Sequence, residues 1–255
     1  MKLSISIVSF INKLFSKIIF VHSDPMPFLN LKRQIEQSPL YSNLFSKQAL
    51  GAIKWSHYSI IYDELLSNYR TQPDLKILEI GVQFGGSQRI LKEYFNDSAT
   101  IVGIDINENC MNLNTGTLIR IGSSRNRKFL ESIVKEMGGV DIVIDDGSHR
   151  NSDQKLAFEI LFPLISNNGI YIVEDLEHSY FWKSGGIPYL PNSFWNYAKR
   201  TTENLNKTFR KYPKIGTLKI SSEALFSIKF YPQIIAFHKL MVEKPAISII
   251  GKQNL

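Results

Sequence analysis

Cysteine is nearly missing from this chain: Cys110 is the single one among 255 residues. That excludes an internal disulfide framework and a cysteine-based metal site, and it fits a reducing compartment. A long uninterrupted apolar run is also lacking. The first 21 residues are largely apolar, but Lys13 and Lys17 break them before the roughly 20 residues of a membrane span are reached. The lysines also come too late for a cleavable leader, which puts its basic residues first. Ile7, Ile11, Leu14, Ile18 and Ile19 recur at helical spacing, which predicts an amphipathic helix within residues 3–21. That helix would pack on the protein's own body or lie peripherally on the inner membrane surface of a cytoplasmic protein. Internal repeats and low-complexity tracts are missing as well.

What is present is ordinary for a globular protein. With 44% hydrophobic and 21% charged residues, disorder is not the default state. The length suits one large α/β domain with some decoration. The net charge of +7 permits an anionic partner, but it speaks to partners and solubility rather than to fold.

Five β-branched runs are nearly continuously apolar: Lys76–Val82, Thr100–Ile106, Leu118–Gly122, Asp141–Gly147 and Gly169–Asp175. Such runs read as strands covered on both faces. Amphipathic stretches at Gln88–Phe95, Arg127–Met137 and Asp153–Leu164 lie between them. Strand and helix alternating at this spacing imply right-handed crossovers and a parallel sheet. Two further strand-like runs, Thr217–Ser221 and Ser227–His238, predict a terminal hairpin at one edge. The expected fold is a doubly wound, Rossmann-like α/β sheet of seven strands, mostly parallel, with an antiparallel C-terminal hairpin strand. Residues 1–70 form an N-terminal helical segment and 71–245 the main domain. Residues 176–215 form an insertion carrying Tyr180, Phe181, Trp182, Tyr189, Phe194, Trp195 and Tyr197. An insertion placed there reads as a substrate lid, or as a surface hairpin whose aromatics are core.

The chemistry-bearing residues sit where these strands end. The first strand runs into Glu79-Ile80-Gly81-Val82-Gln83-Phe84-Gly85-Gly86-Ser87, glycines that let the backbone turn sharply beside a ligand. The second ends in Asp105, placed to accept hydrogen bonds from ribose hydroxyls. A nucleoside-bearing cofactor follows, either a dinucleotide or S-adenosylmethionine. The loop lacks the G-x-G-x-x-G spacing of a dinucleotide site. Glu79 would repel a pyrophosphate and suits the cationic end of S-adenosylmethionine. The fourth strand ends in Asp145-Asp146-Gly147-Ser148-His149 and the fifth in Glu174-Asp175. In this topology both endings reach one carboxyl edge. So many carboxylates repel unless a cation joins them, and oxygen ligands favour a hard ion, Mg²⁺ first. His149 would stand beside that ion as a base.

With these residues in view, the chain resembles the class I S-adenosylmethionine-dependent methyltransferases. More narrowly, it is similar to the macrolide sugar O-methyltransferases, from about Lys54 to Lys239. The marks are Lys54-Trp55-Ser56-His57-Tyr58 with Tyr62, Leu78-Glu79-Ile80-Gly81-Val82, Gly103-Ile104-Asp105-Ile106, and Ser227-Ile228-Lys229-Phe230-Tyr231. The most specific are Ile142 to His149 and Tyr171-Ile172-Val173-Glu174-Asp175-Leu176. The resemblance implies a metal on Asp146, Glu174 and Asp175, His149 as general base, and ribose on Asp105. It adds Ser123 near the adenine, where the family usually carries an acid. Glu79, Gly81, Gly85, Ser87 and Asp145 complete the expected cofactor site. The implied acceptor is a hydroxyl of a sugar or glycan, with a homo-oligomer and peripheral membrane contact through 1–21 left open. Three rivals remain: an NAD-dependent oxidoreductase, a non-catalytic S-adenosylmethionine-binding module, and a methyltransferase of another acceptor, RNA or a small aromatic. The basic run Lys199, Arg200, Lys207, Arg210 and Lys211 motivates RNA, but the carboxylates would repel phosphate, so no nucleic acid is expected.

Overall fold

The computed structural model describes residues 51–95, 97–187, 192–209 and 224–241, together with Gln34, Gln37, Ser38 and Leu40. The amphipathic segment 1–21 and the run Thr217–Ser221 lie outside the described residues. Among the described residues no helix is long and apolar enough to cross a membrane.

The chain order is α1 (Tyr58–Leu66), β1 (Lys76–Ile80), α2 (Gly86–Tyr94), β2 (Thr100–Asp105), β3 (Leu118–Ile121), α3 (Arg127–Met137), β4 (Val140–Asp145), α4 (Asn151–Leu161), β5 (Ile165–Val173), α5 (Phe194–Thr201), β6 (Leu225–Tyr231) and β7 (Ile234–Lys239). The strands form one seven-stranded sheet in the order β3-β2-β1-β4-β5-β7-β6. Strands β1 to β5 pair in parallel, and β7 joins β5 and β6 antiparallel. The expected fold class is thus observed. The terminal hairpin differs in one respect. Ser227–His238 does not serve as one strand beside Thr217–Ser221; it folds into both β6 and β7. The turn is at Pro232-Gln233, where Gln233 takes φ 66°. Proline cannot continue a ladder, so it breaks a run that hydrophobicity alone reads as continuous.

The near-continuous apolar strands are explained by two cores, one on each face of the sheet. Leu78, Ile80, Val102, Ile104, Val143, Tyr171 and Val173 pack against α3, α4 and α5. Ile77, Ile101, Ile142, Ile144, Ile170 and Ile172 pack against α1 and α2. This is the period-2 alternation of a strand with both faces covered. Helix α3 shows why the local sequence folds as it does. The Asn126 side chain accepts the Phe129 N–H at 3.2 Å, and Gly138 closes the helix at φ 70°. Leu130, Ile133, Val134 and Met137 make its buried stripe.

The aromatic insertion divides in two. Phe194 and Tyr197 of α5 are buried around Phe158, as core residues. Tyr180, Phe181 and Trp182 are 48%, 49% and 72% exposed, so they are not core. One buried side chain, Asn151, ties the two parts together. Its Nδ2 donates to the carbonyls of His178 and Ser184, and its Oδ1 accepts the Phe194 N–H at 2.6 Å.

Candidate active site

The strand order reverses direction between β1 and β4, both paired to each other, and open α/β sheets bind ligands outside such a switch point. The chain crosses itself closely here. The Gly81 N–H donates to Ile104 O at 2.8 Å, and the Asp146 N–H donates to Ile80 O at 2.9 Å. Gly81 takes φ 95°, and Gly85 takes φ 79° as the cap of α2. Glycine meets both demands without strain.

Around this loop the predicted residues fall into two groups. Glu79 is fully buried on β1 and receives the Ser87 hydroxyl and the Gln88 amide. Burial pushes its carboxyl above the usual range, against the pull of Lys54, Ser87 and Gln88. Asp105 Oδ2 accepts the N–H groups of Val82 at 2.9 Å and Gln83 at 3.1 Å, while Oδ1 accepts that of Asn107 at 2.9 Å. Burial would raise its pKa, yet these three donors hold it below the usual value. Asp105 therefore fixes the glycine loop in place. Ser123 follows β3 and accepts the Arg125 N–H at 3.2 Å, in the turn that leads to α3. Asp145 points into the core, where the Tyr171 hydroxyl donates to it at 3.0 Å. Burial raises its pKa to about 6.

The second group gathers acids from β4 and β5. Asp146, His149 and Asp175 each bring one ligand atom within 4.8 Å of the others. His149 Nε2 stands 3.7 Å from Asp175 Oδ2. Both residues take positive φ, 52° and 53°, which turns the chain so that their side chains meet. The His149 ring stacks on His178 at 4.9 Å, and its Nδ1 is buried with no hydrogen-bond partner among the described residues. Glu174 is fully buried behind this group. Its carboxylate receives the Tyr62 hydroxyl and, at 2.6 Å, the Lys54 ammonium. Burial raises the Glu174 pKa to about 8, opposed by Lys54 and Tyr62. The Tyr58 hydroxyl donates to Asp175 Oδ1 at 2.7 Å.

Lys54, Tyr58 and Tyr62, which the sequence motifs named without a role, also reach this group. Lys54 Nζ also lies 2.5 Å from Asp146 Oδ2. Burial by itself would lower the pKa of this ammonium; Asp146, Glu174 and Glu79 instead draw it well above its ordinary value. The available signal was spacing. Tyr58 and Tyr62 are one helical turn apart, on the face of α1 toward the site, and Lys54 is one interval earlier.

No protein-family model matches the chain. Among curated proteins, it is 34% identical over 165 residues to mycinamicin VI 2''-O-methyltransferase of Micromonospora griseorubida, covering 60% of this chain and 39% of that one. It is 32% identical over 143 residues to demethylmacrocin O-methyltransferase of Streptomyces fradiae, covering 53% and 35%. Among solved structures, the MycE methyltransferase from the mycinamycin biosynthetic pathway, in complex with Mg and SAH, superposes with a TM-score of 0.70. That match has 25% sequence identity and covers 86% of this chain and 58% of MycE. The fold is that of a class I S-adenosylmethionine-dependent methyltransferase. Within that class the chain is similar to the macrolide sugar O-methyltransferases, as the motifs indicated. It spans between 35% and 39% of the length of the curated relatives it matches.

Proposed function

We propose that this chain transfers the methyl group of S-adenosylmethionine to a hydroxyl of a sugar or glycan-like acceptor, with a hard divalent cation, Mg²⁺ first. The observation that carries the proposal is the meeting of Asp146, His149 and Asp175 at the carboxyl edge, beside the Gly81–Gly85 turn. These residues fit such an ion. Carboxylate oxygens are the donors a hard cation takes, and Asp146 and Asp175 each bring one within 4.8 Å of the other. Asp146, Glu174 and Asp175 would hold it. Gly81, Gly85, Ser87, Glu79, Asp105, Asp145 and Ser123 would shape the donor's site, Asp105 by keeping the glycine loop in register. S-adenosylmethionine supplies an electrophilic methyl, and the cation acidifies an acceptor hydroxyl.

The chain's own work is placement and proton removal. His149 would accept the hydroxyl proton, and bound S-adenosylmethionine would supply the methyl to the acceptor oxygen, leaving as S-adenosylhomocysteine. Tyr58 and Tyr62 fix the carboxylates by donating to Asp175 and Glu174. Holding the reacting atoms about 3–3.5 Å apart supplies much of the rate. The exposed Tyr180, Phe181 and Trp182 form an apolar rim suited to a lid over the acceptor. The relatives' names support a sugar-bearing small molecule as the acceptor.

The test is S-adenosylhomocysteine release from S-adenosylmethionine with a panel of glycosylated acceptors. Turnover should require an acceptor, stop with EDTA and return with Mg²⁺. An EDTA-insensitive rate would reject the metal, and failure to bind S-adenosylhomocysteine would reject the activity.

A further inference from the structure

The segment ahead of α1 alternates in exposure and brings one side chain, Lys54, to the acid cluster. Ile53 and Trp55 are 75% and 52% exposed, whereas the Lys54 side chain between them is only 9% exposed. Its ammonium bridges two acids from different strands, 2.5 Å from Asp146 Oδ2 and 2.6 Å from Glu174 Oε2. Two carboxylates sharing a largely buried site repel unless a cation stands between them, and burying an ammonium is costly unless such partners compensate it. Lysine is suited to the place, being a compact point charge on a flexible stem.

We propose that Lys54 is a positioning residue that competes with the divalent cation for the same oxygens, Asp146 Oδ2 and Glu174 Oε2. Binding of the ion releases Lys54, and with it the segment that carries Ile53 and Trp55. The acid cluster is thus compensated at every stage, by one charge of the chain or by the ion. This rests on the metal-dependent reading above but concerns the chain's own cation.

The test is Mn²⁺ titration, by calorimetry, of EDTA-stripped wild type, Lys54→Met and Lys54→Arg. Lys54→Met should bind Mn²⁺ on the order of ten-fold more tightly, because a like charge has left the site. Lys54→Arg should stay near wild type. The stripped Lys54→Met protein should melt below wild type, and Mn²⁺ should close the gap. A variant that folds only with Mn²⁺ present is the same result in stronger form. Competition predicts a gain in affinity, whereas a merely structural lysine predicts a loss. Equal or weaker Mn²⁺ binding by Lys54→Met, or failure to fold even with Mn²⁺, overturns the proposal. If wild type and variant both fail to bind, the metal reading falls first and this one with it.

Discussion

Gly81→Ala should damage stability and catalysis together. An added Cβ would stand 2.1 Å from the Asp146 carbonyl oxygen, 2.8 Å from its carbon and 3.2 Å from the Gly147 Cα. Ordinary contacts begin near 3.5 Å, so the turns after β1 and β4 must part by about 1.4 Å. Overpacking costs about 1–3 kcal/mol. A non-glycine residue held at φ 95° adds about 1–3 kcal/mol. The sum, about 2–6 kcal/mol, is a large share of the roughly 5–15 kcal/mol that holds a domain together. Gly116→Ala separates the two causes. Gly116 has φ 73° but nothing within 4 Å of an added Cβ, so only the conformational cost applies. Urea denaturation of both variants measures the difference. Because Asp146 rides on the displaced backbone, folded Gly81→Ala should also lose about 10²-fold in turnover, the usual result of a 1 Å misplacement. If Gly81→Ala proves no less stable than Gly116→Ala, the close crossing at the switch point is wrong.

Three further outcomes are expected. Asp105→Ala should weaken S-adenosylhomocysteine binding by about 1.5–3 kcal/mol, since the Val82 and Gln83 N–H groups lose their charged partner; unchanged affinity in calorimetry would remove Asp105 from the site. His149→Ala should lose about 10²–10⁴ in turnover, recover partly at higher pH, and keep its Mn²⁺ affinity; a weakened Mn²⁺ titration would make the imidazole a ligand instead of a base. His238 is held below its ordinary pKa by burial and by the charge of Lys229. A depressed folded value means that its contribution is present above the unfolded value, about 6.5, and is lost as pH falls through the folded one. The melting temperature of His238→Gln should therefore drop less than that of wild type on acidification from neutrality, and parallel curves would contradict this.

Much of the architecture was legible in one dimension, because strands buried on both faces must be apolar throughout and helices must show one apolar stripe. Arg127–Met137 was readable to its ends, since Asn126 and Gly138 are local signals acting on adjacent backbone groups. The acids after β4 and β5 were legible as a site for a related reason. A parallel sheet carries every strand end to the same edge, whatever the side chains. The Pro232-Gln233 turn was missed inside Ser227–His238, although proline was the signal.

Sequence by itself determined the element order, the glycine turn after β1 and the presence of carboxylates at one edge, all consequences of neighbouring residues or of a period along the chain. Tertiary structure alone decided which carboxylate does what. Asp145 and Asp146 are adjacent, yet the first, the last residue of β4, is sealed under Tyr171 and the second, just beyond the strand, faces Lys54. Glu174 is buried between Tyr62 and Lys54, while its neighbour Asp175 turns toward His149. Lys54 itself lies 92 residues from Asp146 and 120 from Glu174. Charge pairing depends on distance in space, and only the folded sheet brings those residues within reach.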